Sequence, residues 1–408
     1  RVKNDGSLSK LLPAGTPFGL VGSSSMYKRE SYPNGVVPAD KVTAEYGGGN
    51  DPWKGLDAFT SHGNGMSLNW HNQGGDAGLY ENSEIHAIRV VAMEPTTDRH
   101  RGEKTGRLFY SHAQERMRIL GEIPVRKFAA KVAADQLTAD GQPLDPDHNP
   151  DTSFLARIPA DVPFTFQTID KQGLLLNASQ TWHQLRPGEI RHDCGGCHAH
   201  SQKPTQFAET YAAKPDYAVF DLVKQTPLLT AKDKDESKQR WDVEQTSGLR
   251  YQTGSATVEY LRDIQPILAR SCVACHTKNN PERAGNLVLD DDETLINYEH
   301  HGKFPGTYFR LAVDERAKFG IKPVGYDSWG YPQASRYLRK FQARRSLLVW
   351  KLFGKRLDGF SNDDHPSESP VGSGVLLHKG ESVSVEKNKS RLDLDFTGSV
   401  MPPPAAVA

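Results

Sequence analysis

The sequence predicts a mixed, loop-rich fold in which a small β-sandwich-like module precedes a mainly α domain. Three observations lead there. Apolar residues are only 37% of the 408, while Gly (36) and Pro (26) are plentiful, a composition of turns and short elements. Between residues 119 and 190 apolar residues alternate in short runs bounded by turn formers, the period of half-buried strands. After residue 251 they recur three and four apart, the period of helices. This length allows two to four domains, and the chain divides into 1–118, 119–190, 191–250 and 251–408.

Residues 1–118 are rich in Gly, Asn and Asp, and GGGNDPWKGLDAFTSHGNGMSLNWHNQGGDAG is mostly turn-forming. Residues 85–93 (IHAIRVVAM) read as a strand. The region is an irregular or β extension wrapped on the domains that follow, or the tail of a larger β structure. Within 119–190, GEIPVRKFAAKV, SFLARIPADVPFTFQTID and GLLLNASQTWHQL supply strands, with Asp170, Lys171, Gln172 and Gly173 as a hairpin-type turn. The intervening DQLTADGQPLDPDHNPDT carries Asp145, Asp147, Asn149 and Asp151 at alternating positions. Calcium is one reading. An EF-hand, however, has Gly sixth and Glu twelfth, where this loop has Pro150 and Ala156, so a solvated acidic loop is expected. In 191–250 the charged run AKDKDESKQRWD reads as an exposed connector. Val258, Leu261, Ile264 and Ile267/Leu268 mark a helix that Pro266 kinks or restarts. A second helix is expected over 334–353, with Tyr337, Leu338, Phe341, Leu348 and Leu352 on its apolar face and Gly354 as C-cap.

Lys+Arg and Asp+Glu are both 50. That balance lacks the basic footprint of a nucleic-acid binder. No run of eighteen apolar residues occurs, so no membrane-spanning helix is expected. The chain opens RVKNDGSLSK without a signal peptide and closes on VMPPPAAVA. A processed or longer chain is therefore the expectation.

All four cysteines fall in two copies of one pattern, Cys194-Gly195-Gly196-Cys197-His198 and Cys272-Val273-Ala274-Cys275-His276. C-x-x-C-H is the attachment motif of haem c. Two thiols three residues apart reach the two vinyl groups of one porphyrin, and the adjacent His is placed to bind the iron as proximal ligand. A zinc site would bring its Cys pairs closer in sequence, a thioredoxin-like motif would occur once after a strand, and structural disulfides would not repeat one short spacing. The sequence thus predicts two covalent haems, a cytochrome c-like domain at 251–408, and a periplasmic or extracellular location, where haem is normally attached.

The sixth position of each iron decides between electron transfer and substrate chemistry. For the first haem His183 is the leading candidate, on or beside the strand before the motif, with His71 next. His192 and His200 flank the motif on a short tether and suit a propionate, the other haem or a metal. For the second, Met401 before Pro402 and Pro403 leads, followed by His365, then His300 or His301; His378 is a further candidate.

IPADVPFTFQTIDKQGLLLNASQTWHQLRPGEIRHDCGGCHAHSQ, DIQPILARSCVACH, SLLVWKLFGKRLDG and DFTGSVMPPP together resemble the hydrazine synthase alpha-subunit family over roughly residues 119–408. The resemblance implies a β module, a first haem, then a second cytochrome domain. It also implies a preceding β-propeller, for which 1–118 is too short, and a haem with an open position and a Tyr shortly after the motif. Here Ala199, His200, Ser201 and Gln202 follow His198, and the next tyrosine is Tyr211.

With no nucleophile motif, Rossmann or Walker glycines, or HExxH, the residues read first as a dihaem electron carrier. Its partners would be redox proteins, other cytochromes or copies of itself. The alternative is a haem enzyme, hydrazine-synthase-like or peroxidase-like, with one open haem.

Overall fold

The computed structural model describes residues 15–27, 82–93, 117–128, 131–178, 182–192, 194, 205–283, 285, 287–298, 302–312, 337–338, 343–357, 375–378, 381–383, 396 and 398–403. Strands β1 (Phe18–Ser23), β2 (Ala87–Met93), β3 (Met117–Pro124), β4 (Phe154–Pro159), β5 (Phe164–Ile169), β6 (Leu175–Ala178), β7 (Ile190–Arg191) and β8 (Phe220–Asp221) make two four-stranded sheets. One runs β7-β1-β4-β8, with β1 and β4 antiparallel and the short outer strands parallel to their neighbours. The other, β3-β2-β5-β6, is antiparallel throughout.

Alternation decides which side chains go inward. In β4, Phe154, Ala156 and Ile158 are buried, while Leu155 and Arg157 are only partly covered. With Val21 they meet Ile88, Val90, Leu120, Ile123, Phe164 and Leu176 of the second sheet in one core. The turn expected at 170–173 joins β5 to β6. Asp170 Oδ1 accepts the Gln172 and Leu174 N–H groups at 3.0 and 2.8 Å, and Gly173 takes the positive φ (78°) that the turn requires.

The sheets do not begin at residue 119. β1 and β2, from the first 118 residues, are inner strands, so the expected 118/119 boundary cuts both sheets. β8, from the expected 191–250 segment, pairs with β4. Local pattern marks β2 as a strand, but pairing across long separations leaves no local mark.

His86, just before β2, is 2% exposed, and its Nε2 is buried without a hydrogen-bond partner. Burial, reinforced by Arg126 and Lys171 against the opposing Asp242, lowers its pKa to about 4. The folded state therefore resists a proton that the unfolded chain accepts near 6.5. Stability is full above pH 6.5 and falls as pH drops toward 4, by roughly 3 kcal/mol. In urea denaturation across that window, His86→Leu is expected to flatten the slope relative to wild type. Parallel slopes for the two proteins would exclude this assignment.

The connector is not simply exposed. It joins β9 (Thr226–Ala231) to β10 (Ser247–Gln252), an antiparallel pair. Trp241 and Asp242 are buried. Asp235 accepts the Leu249 N–H at 2.7 Å and Asp242 the Ser247 N–H at 2.6 Å, so carboxylates cap the outer edge of β10. The acidic loop is not solvated throughout either: Asp145 is 4% exposed and Asp151 0%. Asp151 takes the Lys127 ammonium at 3.1 Å and the Tyr211 N–H at 2.7 Å. Burial opposes its ionisation, but Lys127, Ser153 and the backbone donors hold the carboxyl below its usual range.

Within 251–408 the described residues form β11 (Leu295–Tyr298) with β12 (Gly302–Pro305), β13 (Val375–His378) with β14 (Glu381–Val383), and three seven-residue helices: α1 (Gln265–Ser271), α2 (Gly306–Ala312) and α3 (Leu347–Phe353). A mainly α domain is not shown by them. Of the long helix expected over 334–353, the described residues form α3 and a 3-10 turn at Ala343–Arg345 before it; 334–336 and 339–342, with Phe341, lie outside the described residues. The break lies at Ser346, whose extended backbone (φ −95°, ψ 124°) starts α3 afresh, and Leu348 N–H bonds Tyr337 O at 3.1 Å. Gly354 closes α3 in the left-handed conformation (φ 69°), as expected. None of the described helices is long and apolar enough to cross a membrane.

Candidate functional site

The chain enters the second motif through a π-helical turn, Tyr260–Ile264, followed directly by α1. Pro266 sits in the first turn of α1, where its missing N–H costs nothing, so it restarts the helix. A π turn of this kind is frequent at functional sites. The motif continues α1 as a closing turn. Cys272 N–H bonds Leu268 O at 2.9 Å, and the N–H groups of Cys275 and His276 both reach Cys272 O, at 3.2 and 3.1 Å. The far side is pinned by Leu289 N–H to His276 O at 2.8 Å and by Lys278 N–H to Asp290 Oδ1 at 2.7 Å.

This turn presents the chemistry that haem attachment needs. Cys272 is half-buried and Cys275 exposed, and neither forms a disulfide. Burial raises the Cys272 thiol pKa, which keeps it protonated. His276 Nδ1 is buried without a hydrogen-bond partner, an arrangement native proteins seldom leave unfilled. Cys272 and Val273 pack with Tyr260, Ile264, Leu268, Leu287, Leu289, Leu311 and Leu348. Yet Leu261 and Ile267 of the same apolar run stay 63% and 48% exposed, and Val258 66%. The helical periodicity was legible, but only Leu268 of that stripe is fully buried. A porphyrin fits this set: two thiols one turn apart, a His beside them, and apolar surface left to cover.

At the first motif Cys194 is half-buried and packs on the sandwich core; Cys197 and His198 lie outside the described residues. The flanks are anchored. His192 stacks on Phe207 at 4.4 Å with planes 13° apart. Thr205 Oγ1 donates to Asp147 Oδ2 at 2.8 Å, and Ala212 N–H donates to Ser153 Oγ at 3.0 Å. With the Asp151–Tyr211 bond, the acidic loop clamps the chain leaving the motif. Reading that loop as a calcium site or a solvated one misses this role. The spacing of its carboxylates was the signal, and the unforeseen part was Lys127, the partner of Asp151. Among the described residues no three His, Cys, Asp or Glu side chains group as a metal cage.

His183 extends the sheet beyond β6 by bridging Phe164. Its ring lies 5.8 and 5.9 Å from those of Phe164 and Phe166, and Phe166 packs on the same core as Cys194. Met26 and Tyr27 also pack on that core, which no local pattern announced. Met401 N–H bonds Lys351 O at 2.8 Å, seating its loop on α3, whose Leu348 shares the Cys272 cluster. His71, His200, His300, His301 and His365 lie outside the described residues, as does the side chain of His378.

A family model described as the hydrazine synthase alpha subunit middle domain matches residues 83–199. It begins just before β2 and runs through Cys194, Cys197 and His198. The chain resembles the hydrazine synthase alpha-subunit family. Hydrazine synthase subunit alpha from Kuenenia stuttgartiensis is 28% identical over 246 residues, covering 54% of this chain and 28% of that protein. The chain thus spans well under a third of that relative. A solved structure of Kuenenia stuttgartiensis hydrazine synthase superimposes with a TM-score of 0.46 at 18% identity, covering 91% of this chain and 42% of that one.

Proposed function

We propose that this chain is part of a haem enzyme of the hydrazine synthase alpha type, with haem c bound at Cys194/Cys197/His198 and at Cys272/Cys275/His276. The observation that carries this reading is the family match across residues 83–199, which includes the whole first motif. It turns the preference from a simple electron carrier toward an enzyme whose first haem keeps an open position. When bound, the iron supplies one-electron chemistry and a site for a small ligand. The chain's own residues do the rest. Cys272 and Cys275 would hold the second porphyrin, His276 would ligate its iron, and Leu268, Leu289 and Leu311, packed with Cys272, would help to exclude water. The β sandwich and the Asp151 clamp hold the first motif in place. Met401, and more remotely His365, are proposed for the sixth position of the second haem. The proposed site of action is periplasmic or extracellular. The word subunit in the relative's name supports protein partners, which we propose are redox proteins.

The electron-carrier reading survives on one observation. His183 stands on Phe166, at the margin of the core that also seats Cys194, and as a sixth ligand it would saturate the first iron. Carbon monoxide added to the reduced, haem-loaded chain separates the two. Rapid binding at one haem per chain is expected, together with one high-spin ferric signal. No binding, with two low-spin haems, would sink the enzyme reading. In that case His183→Ala should create the carbon-monoxide-binding form.

A further inference from the structure

The cluster around the second motif leaves a cation half used. Arg310, on α2, donates from Nη2 to Asp291 Oδ2 at 2.8 Å. Its Nη1 is buried without a hydrogen-bond partner. A buried donor of a charged group costs more when unmet than a neutral one. The neighbouring Leu311 is buried in the same cluster as Cys272 and Leu268. Asp292, next to the pair, accepts the Tyr260 hydroxyl at 2.8 Å, and Tyr260 packs in that cluster as well. Arg310 is thus the chain neighbour of a residue of that cluster and is tied through Asp291 to the segment that carries Asp292, with its side chain 36% exposed overall. Arg283 also carries a buried, unbonded Nε; among the described residues its Nη1 donates to Asn280 O.

We infer that Arg310 anchors a carboxylate of the haem at the second motif, with Nη2 on Asp291 and Nη1 on the haem propionate. A guanidinium suits this task because its planar fork serves two carboxylates at once. Asp291 holds the fork in place: Thr294 Oγ1 donates to its other oxygen at 2.6 Å. The inference rests on haem attachment at Cys272 and Cys275. It makes Arg310 a positioning residue that also sets the potential. Ferric haem carries one more positive charge than ferrous, so a nearby cation disfavours the ferric form and raises the potential.

The test is redox titration of the full haem-loaded chain. The wave of the second haem is identified as the one lost in a Cys272→Ala/Cys275→Ala variant. Arg310→Gln should move that wave to lower potential and leave the other in place, while Arg310→Lys stays near wild type. An unmoved wave in Arg310→Gln overturns the anchor and leaves the haem reading intact. A wild-type chain with no haem at the second motif overturns both. If Arg310→Gln does not fold, Asp291→Asn keeps the cation and removes its neutralising partner; the wave should then rise, and no shift would count against the anchor.

Discussion

Replacing Asp151 by alanine should lower the unfolding free energy by about 3–5 kcal/mol, the cost of leaving a buried charge without its partner. Lys127 is buried, and its ammonium donates to Asp151 Oδ1 at 3.1 Å, to Asp151 O at 2.8 Å and to Val125 O at 3.0 Å. The carboxylate also takes the Ser153 N–H at 2.9 Å and the Tyr211 N–H at 2.7 Å. Removing it strands one ammonium charge, two amides and the Ser153 hydroxyl. Urea denaturation of Asp151→Ala measures the loss, and a change under about 1 kcal/mol would show that the pair is not what holds the loop. Adding Lys127→Met should restore part of the stability, because an apolar side chain of similar length needs no counter-charge.

The same substitution reaches the first motif. Asp151 binds Tyr211 and Ser153 binds Ala212, thirteen and fourteen residues past His198. Loss of the clamp should loosen the segment that leaves the motif, seen as faster amide exchange around Tyr211 and Ala212 than elsewhere in the sandwich.

Legibility in the sequence depended on how local each signal was. The C-x-x-C-H spacing, the turn at Asp170 and Gly173, the restart at Pro266 and the cap at Gly354 are set by residues within a few positions of one another. The strands also showed, because alternation in β4 puts Phe154, Ala156 and Ile158 on one face. Their partners did not. β1 joins β4 across more than 130 residues, and nothing in residues 18–23 names that mate. The acidic loop misled for a related reason: alternating Asp residues look solvated until Lys127, from another segment, is found against Asp151. At the candidate site the motif residues were explicit. Arg310 was not, since a lone Arg on a short helix carries no pattern, and only its place in the fold leaves Nη1 without a partner.

The Cys272→Ala/Cys275→Ala variant should lose one of two covalent haems, and with it the order of the second unit. Among the described residues the sandwich core gathers buried side chains from both sheets, Phe154, Phe164, Ile88, Ile123 and Leu176 among them. Among the same described residues the Cys272 cluster buries Leu268, Leu289 and Leu311, and the adjacent one Leu347 and Trp350. A core of the size these described residues supply is marginal on its own, and Leu261 and Ile267 remain exposed. Haem would cover that surface, so the second unit should depend on it while the sandwich does not. Intact mass should therefore fall by one haem per chain. Thermal unfolding should split, with the segment that includes α1 and α2 melting early and the sandwich near its wild-type temperature. An unchanged mass would remove Cys272 and Cys275 as an attachment site. A mass lower by one haem with a single unshifted melt would keep the attachment and refute the dependence of the second unit on its cofactor.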